Sequence, residues 1–320
     1  MGLSVPPGAS GTRIVSMGHY QPANVVTNAD LAPSIGIGDE WIRNRVGIAA
    51  RRIADPGESV VDMATAAASK ALAAGGLTPD VIDLVIVATC SSESSMPNAA
   101  SQVAHALGVP SPGAYDVNAA CAGFSYALAL ASDGVRAGSA RHVLVVGAEK
   151  MSAWTDGGDR TTGIIFADGA GAAVVGPSAR PGIGPVVWGS AGHLGDKITI
   201  KDRHSSIRQQ GQAVFRWAIT SLHPVALEAC RRAGVDPSDL AAFVPHQANL
   251  RIVEAIAAKI QAGTAVIARD VVESGNTSAA SIPLALSRMI ERGEVPSGAP
   301  ALLLGFGAGL TYAAQVVTVP

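Results

Sequence analysis

Charge is scarce in this chain. Only 15% of its 320 residues are Asp, Glu, Lys or Arg, split 25 acidic to 23 basic for a net charge of −2. With no Lys/Arg cluster, the basic stripe that nucleic-acid binding requires is excluded. No apolar run reaches the roughly 18 residues of a membrane span, and the Gly/Pro-rich start lacks the apolar core of a secretion signal. Cysteine is rare: Cys90, Cys121 and Cys230 stand far apart, making neither a disulfide framework nor a zinc-ligand set. Aromatics are also few, with four Trp, four Tyr and five Phe in a chain that is 48% hydrophobic, so the interior is built from small aliphatics. The expectation is a reduced, cytoplasmic, globular protein without a metal, a nucleic-acid partner or a membrane anchor. So thinly charged a chain also suits an oligomer that hides surface.

What is present is alternation. The length allows about two folding units of ~150 residues. Residues 1–12 (MGLSVPPGASGT) read as a flexible tail. Beyond them, amphipathic helical stretches alternate with aliphatic runs at Leu84–Ala88, His142–Val146, Ala172–Val175, Ala242–Val244, Ala301–Leu304 and Ala313–Val319. This pattern predicts an α/β protein whose strands are buried on both faces.

The two halves rhyme. Gly76-Leu77-Thr78-Pro79-Asp80 leads into one aliphatic run and Gly234-Val235-Asp236-Pro237-Ser238 into another, 158 residues later (234 − 76). Val143-Leu144-Val145-Val146-Gly147 matches Ala301-Leu302-Leu303-Leu304-Gly305 at the same offset (305 − 147), and Asp116-Val117 echoes Asp270-Val271 more loosely at 154 (270 − 116). Repetition at nearly half the chain length predicts duplicated halves, 13–178 and 179–320, the first carrying about twenty extra residues after Gly147.

Three positions could carry chemistry. Cys121, in Asn118-Ala119-Ala120-Cys121-Ala122-Gly123-Phe124, opens an apolar helix, where unpaired N–H groups and the helix dipole favour a thiolate. Buried free cysteines are usually inert, so position alone leaves both readings open. Cys90 and Cys230 read as core residues. His246, in Pro245-His246-Gln247-Ala248-Asn249, ends a strand, where α/β sheets assemble their sites; a structural histidine is the alternative. Asn276, in Gly275-Asn276-Thr277-Ser278, precedes a helix and also fits a cap. The glycine clusters Gly305-Phe306-Gly307-Ala308-Gly309 and Asp168-Gly169-Ala170-Gly171 both fail as dinucleotide fingerprints and instead suit turns that bring backbone N–H groups to a reacting atom.

Taken together these motifs resemble those of thiolase-like condensing enzymes, and among them the β-ketoacyl-acyl-carrier-protein synthase III family. Thr27-Asn28-Ala29-Asp30-Leu31, Asp39-Glu40-Trp41-Ile42, Arg45-x-Gly47-Ile48, Asp159-Arg160, Phe166-x-Asp168-Gly169-Ala170-Gly171 and Pro245 to Arg251 extend the likeness over nearly the whole chain. The resemblance implies a dimeric five-layer αβαβα fold of two duplicated halves, with no cofactor. It implies that Cys121 takes an acyl group from acyl-CoA. Malonyl-acyl carrier protein then loses carbon dioxide and attacks that group, giving 3-oxoacyl-acyl carrier protein for fatty acid or polyketide initiation. His246 and Asn276 would stabilise the enolate. The N–H groups of Cys121 and Ala308 would hold the acyl oxygen beside Gly307, and Phe306 would exclude water. By motif position Trp41, Arg45, Arg160, Gln212, Ala248 and Arg251 would contact CoA, and Arg251 with Lys259 would meet the acidic carrier protein.

This sequence departs from the family at several of these places. Ala308 replaces a glycine, Gln212 an asparagine and Ile37 a threonine. Met96 stands where a phenylalanine often crosses the dimer to floor the acyl pocket, and 193–210 is short, so starters larger than acetyl are expected. The competing enzyme reading is an acyltransferase that passes the Cys121-bound group to a hydroxyl, amine or carrier thiol without decarboxylation. A papain-like hydrolase shares the Cys, His, Asn order but lacks the local cysteine context, and a non-catalytic scaffold would not need all three residues.

Overall fold

The chain builds the same five-stranded sheet twice. The structure, a computed structural model, describes residues 8–202 and 204–320. Its first half contains β1 (Gly11–Tyr20), β2 (Val25–Thr27), β3 (Ala50–Arg52), β4 (Leu84–Ala88), β5 (Gly113–Val117), β6 (Val143–Lys150) and β7 (Asp168–Ser178). The second contains β8 (Val187–Gly189), β9 (Ile198–Thr199), β10 (Arg208–Gln209), β11 (Ala242–Pro245), β12 (Val266–Ile267), β13 (Pro300–Gly307) and β14 (Thr311–Thr318). The helices are α1 (Asn28–Ile35), α2 (Asp39–Val46), α3 (Val60–Ala74), α4 (Ala99–Leu107) and α5 (Gly123–Arg136), then α6 (Gly211–Ala233), α7 (Leu250–Ile260), α8 (Val271–Ser274) and α9 (Ser281–Glu291).

One sheet runs β5-β4-β6-β7-β1 and the other β12-β11-β13-β14-β8. In each, the first three strands are parallel and the last two antiparallel. Even the register repeats: Leu84 pairs with Val143, and Ala242, 158 residues on, pairs with Ala301. Beyond that point the offset shortens. Val143 pairs with Val175 and Ala301 with Val317, so the last matched strands are 142 apart (317 − 175) and the net insertion after Gly147 is 16 residues (158 − 142).

Five layers follow from the period-2 alternation of the strands. Ile86, Val145, Val244 and Leu303 face inward, onto α5 and α9, which share one central core through Phe124, Leu128, Ile282 and Leu286. Val85, Val87, Leu144 and Val146 face outward onto α3 and α4, and Phe243, Leu302 and Leu304 onto α6 and α7. Small residues make the central packing possible. A Cβ on Gly171 would lie 2.5 Å from the Leu284 nitrogen, and one on Gly147 2.4 Å from the Ala279 carbonyl oxygen.

Each central helix is entered through the same turn. Ala120–Ala122 and Ser278–Ala280 are single 3₁₀ turns that lead into α5 and α9. Both are set up by an asparagine whose Oδ1 accepts the N–H two residues on: Asn118 from Ala120 at 3.2 Å and Asn276 from Ser278 at 2.8 Å. Ala120 (φ 47) and Ser278 (φ 50), 158 apart, both take the left-handed conformation that side chains disfavour.

Several expectations need correction. Of the tail 1–12, residues 1–7 lie outside the described residues, while Gly11 and Thr12 already belong to β1. Asp168–Ala172 is strand, not a loop of free N–H groups; its glycines let α9 approach. The Asp116/Asp270 echo is one residue out, since Gly113 and Val266, 153 apart, are the partners of Leu84 and Ala242. Among the described residues no helix is long and apolar enough to cross a membrane.

Candidate active site

A single cavity of about 1310 Å³ runs from the surface down to the paired turns. Cys121, His246 and Asn276 converge on it, with Phe306, Gly307 and Ala308 of the strand end beside them. Trp41, Arg45, Arg160, Gln212, Ala248 and Arg251 line the rest, as does Ile37. Met96 and Lys259 do not. Met96 is 87% exposed in the loop after β4, and the Lys259 ammonium donates to the Ile219 carbonyl on α6.

Cys121 sits at the foot of the cavity, open to it yet surrounded by protein. That burial pushes its thiol up to about 12, with Glu149 adding to the rise and a hydrogen bond from Ser278 opposing it. The thiolate favoured by the helix start is therefore not the resting form, because desolvation outweighs a dipole worth at most ~2 kcal/mol. Gly307 must be a glycine: a Cβ there would lie 2.6 Å from the Cys121 nitrogen. The turn then uses Gly309 (φ 72) for its left-handed position, so alanine at 308 fits without strain.

His246 follows β11 and is buried. Its Nδ1 lies 2.7 Å from Ser281 Oγ, which also accepts the Gln247 N–H at 3.3 Å. Ser281 Oγ has no other acceptor among the described residues, so the arrangement that satisfies its hydroxyl proton has it donate to Nδ1, with the ring proton on Nε2, toward the cavity. Burial lowers the His246 pKa to about 3, so this neutral form persists through the physiological range. Phe306 packs edge-on against the ring at 5.0 Å and is backed by Trp217 at 6.5 Å. Asn276 is equally fixed. Its backbone is bonded to Ile165 and Ala167, and with Oδ1 taken by Ser278 its Nδ2 keeps only a 3.4 Å contact to the Ala248 carbonyl. The cavity thus receives two neutral side chains, His246 and Asn276, together with the Cys121 thiol.

At the outer end, the Arg45 guanidinium stands 5.7 Å over the half-exposed Trp41 ring, and Arg251 reaches the Asn44 carbonyl at 3.4 Å. A flat aromatic beside exposed cations suits an adenine nucleotide. The segment 193–210 supplies Ile198, Ile200 and Ile207 to the wall through the β9/β10 pair.

This geometry has close counterparts. The chain is 58% identical over 313 residues, 97% of its length and 99% of the relative's, to β-ketoacyl-[acyl-carrier-protein] synthase III 4 of Streptomyces coelicolor. It belongs to the β-ketoacyl-[acyl-carrier-protein] synthase III family. Two family models match it: 3-oxoacyl-[acyl-carrier-protein] synthase III over residues 115–192 and that family's C-terminal part over 230–319. A synthase III of Streptomyces avermitilis is 57% identical over 97% of the chain and 100% of the relative. Among solved structures, the priming β-ketosynthase of the R1128 polyketide pathway superposes with a TM-score of 0.96 at 43% identity, covering 100% of this chain and 99% of that one. Synthase III of Aquifex aeolicus gives 0.92 at 39%, over 96% and 100%. The fold is the thiolase-like α/β fold of this synthase family.

Sequence reasoning missed part of this synthase site. Cys90 is not plain core: it lines the cavity, and its thiol contacts Glu149 at 3.3 Å and Ser278 at 3.8 Å. Glu149 itself went unnoticed, although a charge closing the otherwise apolar run Val143–Ala148 is a legible signal. Cys230 is core, within α6.

Proposed function

We propose that this chain loads an acyl group from acyl-CoA onto Cys121 and condenses it, with decarboxylation, with malonyl-acyl carrier protein. The observation that carries this reading is the convergence of Cys121, His246 Nε2–H and Asn276 Nδ2 on one cavity whose mouth holds Trp41, Arg45 and Arg251. Cys121 sulfur attacks the thioester carbonyl and CoA leaves; exchange between thioesters costs little free energy, which suits a thiol better than a hydroxyl. The N–H groups of Cys121 and Ala308 hold the oxyanion. Malonyl thioester then enters. As its C–C bond to the carboxylate breaks, negative charge builds on the thioester oxygen, where His246 and Asn276 donate. Each donor is worth about 3 kcal/mol by analogy with other oxyanion holes. The enolate carbon attacks the acyl carbonyl, Cys121 departs, and 3-oxoacyl-carrier protein is the product.

No cofactor enters this scheme, and acyl-CoA is a substrate. Arg160, Gln212 and Ala248 line the pantetheine path, and Arg251 with Lys259 on α7 offers positive charge to an acidic carrier protein. A homodimer is part of the proposal. The edge strand β5 and the exposed Met96 lie at one end of the first sheet, placed to meet a second copy whose acyl pocket Met96 would floor. The flexible thioether there favours starters larger than acetyl. Intact-mass analysis with an acyl-CoA panel tests this: an adduct dependent on Cys121, with butyryl or branched C4–C5 groups at least matching acetyl, supports it. No adduct from any acyl-CoA would end the reading.

A further inference from the structure

Glu149 has no task in the scheme above. It is fully buried at the end of β6 and, among the described residues, forms no ion pair. Its neighbour Lys150 turns away to the carbonyls of Asp55, Pro56 and Glu58. An unpaired buried carboxylate is costly, and its counterpart 158 residues on is Gly307 (307 − 149), so this strand end does not need one to form. What the carboxylate does is collect donors from both halves. Oε2 accepts from Thr89 Oγ1 and the Cys90 N–H, at 3.1 Å each, and from the Ser91 hydroxyl, all in the loop after β4. Oε1 accepts from Ser278 Oγ at 2.9 Å and the Ala279 N–H at 3.4 Å, both in the turn before α9, and from the Cys90 thiol at 3.3 Å. A hydroxyl or thiol can reverse its role, but a backbone N–H can only donate. With Cys90 N–H on one oxygen and Ala279 N–H on the other, both oxygens must accept.

The turn that Glu149 grips is the one that aims Asn276. Ser278 holds the left-handed conformation (φ 50), and from it the Ser278 N–H meets Asn276 Oδ1 at 2.8 Å. That bond decides which end of the amide is free: with Oδ1 committed, Nδ2 is left to donate. An amide turned over would offer an oxygen where negative charge develops, the opposite of what an oxyanion hole requires. The Asn276 main chain is fixed separately, by Ile165 and Ala167, so the direction of its side chain rests on Ser278. We propose that Glu149 is a positioning residue for Asn276: by holding Ser278 Oγ and the Ala279 N–H, it keeps the Ser278 N–H on Asn276 Oδ1 and Nδ2 free for the substrate. This deepens the reading of Asn276 as an enolate donor and rests on it.

The first half supplies the contrast. There the same turn is made by Asn118 and Ala120 (φ 47), with a longer bond of 3.2 Å. Ala120 has no side-chain oxygen to anchor, and the strand end beside that turn is Gly307, whose closeness to the Cys121 nitrogen leaves no room for a side chain. The anchored turn is therefore the one whose asparagine is a proposed donor. His246, the other proposed donor, is set by Ser281 and has no bond to this carboxylate, so Glu149 acts on one donor and not on both.

Glu149→Gln and Ser278→Ala test this in the full-length protein, alone and combined with Asn276→Ala or His246→Ala. Gln keeps the shape, but its NH₂ must face one of the two backbone N–H groups, and the longer bond, to Ala279, is the one displaced. Ser278→Ala removes only the Oγ tether, and Ala120 shows that alanine adopts this conformation. Crystal structures give a readout that needs no substrate: in E149Q the Asn276 amide should turn over or lose its bond to the Ser278 N–H. Carbon dioxide release from malonyl-carrier protein should fall about tenfold in E149Q and several-fold in S278A. Acylation of Cys121 in E149Q should not fall, since the charge removed is one that lifts its thiol. Because Glu149 acts through Asn276, E149Q should cost less than about twofold more in Asn276→Ala, yet its full tenfold in His246→Ala. An equal loss in both backgrounds would overturn the proposal, leaving general damage to the site. So would an E149Q structure with the 2.8 Å bond intact, or undiminished carbon dioxide release from folded E149Q. If unfolding temperatures show that E149Q does not fold, S278A decides by the same comparisons. A wild type that releases no carbon dioxide defeats the proposed function, and the crystal structures still decide the positioning.

Discussion

The two halves repeat one scaffold and put different chemistry on it. At five pairs of positions 158 apart around the site, a polar or reactive residue faces a bland counterpart: Cys121 against Ala279, Ser278 against Ala120, His246 against Ala88, Ser281 against Gly123, Glu149 against Gly307. The asparagine turns are alike, yet only the first carries a sulfur. Even the ends of the third strands act alike. Glu149 of β6 bonds the turn of the second half, and Gly307 of β13 lies against the turn of the first. A symmetric frame thus holds an asymmetric site. The first half supplies Cys121, the proposed nucleophile, and the second His246 and Asn276, the proposed donors, each half bracing the other's turn.

The strongest way to break this comparison is at the turns. Cys121→Ala should abolish the acyl adduct, and adding Ala279→Cys should not restore it. Ala279 is 1% exposed and backs onto Gly147 and Gly123 instead of the cavity, a result readable by intact mass.

Next come the donors. His246→Ala and Asn276→Ala should each lower carbon dioxide release from malonyl-carrier protein about 100-fold, the equivalent of ~3 kcal/mol, while leaving Cys121 loading far less affected. The pH dependence sharpens this. His246 titrates near 3, so carbon dioxide release measured in Cys121→Ala should be flat from pH 5 to 8. A limb centred near the ordinary histidine value of 6.5 would show that the ring is not neutral.

The glycines of the strand ends should separate the two tasks. Gly307→Ala would force 2.6 Å against the Cys121 nitrogen and Gly147→Ala 2.4 Å against the Ala279 oxygen. Each overpacking should cost about 1–3 kcal/mol of stability by thermal or denaturant unfolding. The first should mainly slow loading and the second mainly slow decarboxylation. A smaller effect is expected of Ser281→Ala, which removes the 2.7 Å bond that sets the His246 tautomer. About 1 kcal/mol, or several-fold in decarboxylation, follows from loss of one hydrogen bond.

Much of this frame was legible in the chain. The strand runs Leu84–Ala88 and Ala242–Val244 read correctly because strands buried on both faces leave unbroken aliphatic runs. The 158-residue offset marked the duplication since Leu84/Val143 and Ala242/Ala301 are paired in register. Strand β1 was missed: its Gly11–Tyr20 run mixes Arg, Ser and His with apolar residues, and β7 alone decides its place. The motifs singled out Cys121, His246 and Asn276, which the fold brings to one cavity. Their ionisation was not legible, because the burial that lifts Cys121 and lowers His246 is made by residues distant in the chain, Phe306 against His246 among them. Cys90 was misread for the same reason: only tertiary packing brings it to the cavity beside Glu149.

The division of labour between the halves is tested most directly in Asn276→Ala, by recording the Cys121 adduct from acyl-CoA and carbon dioxide release from malonyl-carrier protein on the same sample. Retained acylation with carbon dioxide release reduced about 100-fold is the expected result. Lost acylation with undiminished carbon dioxide release would contradict it.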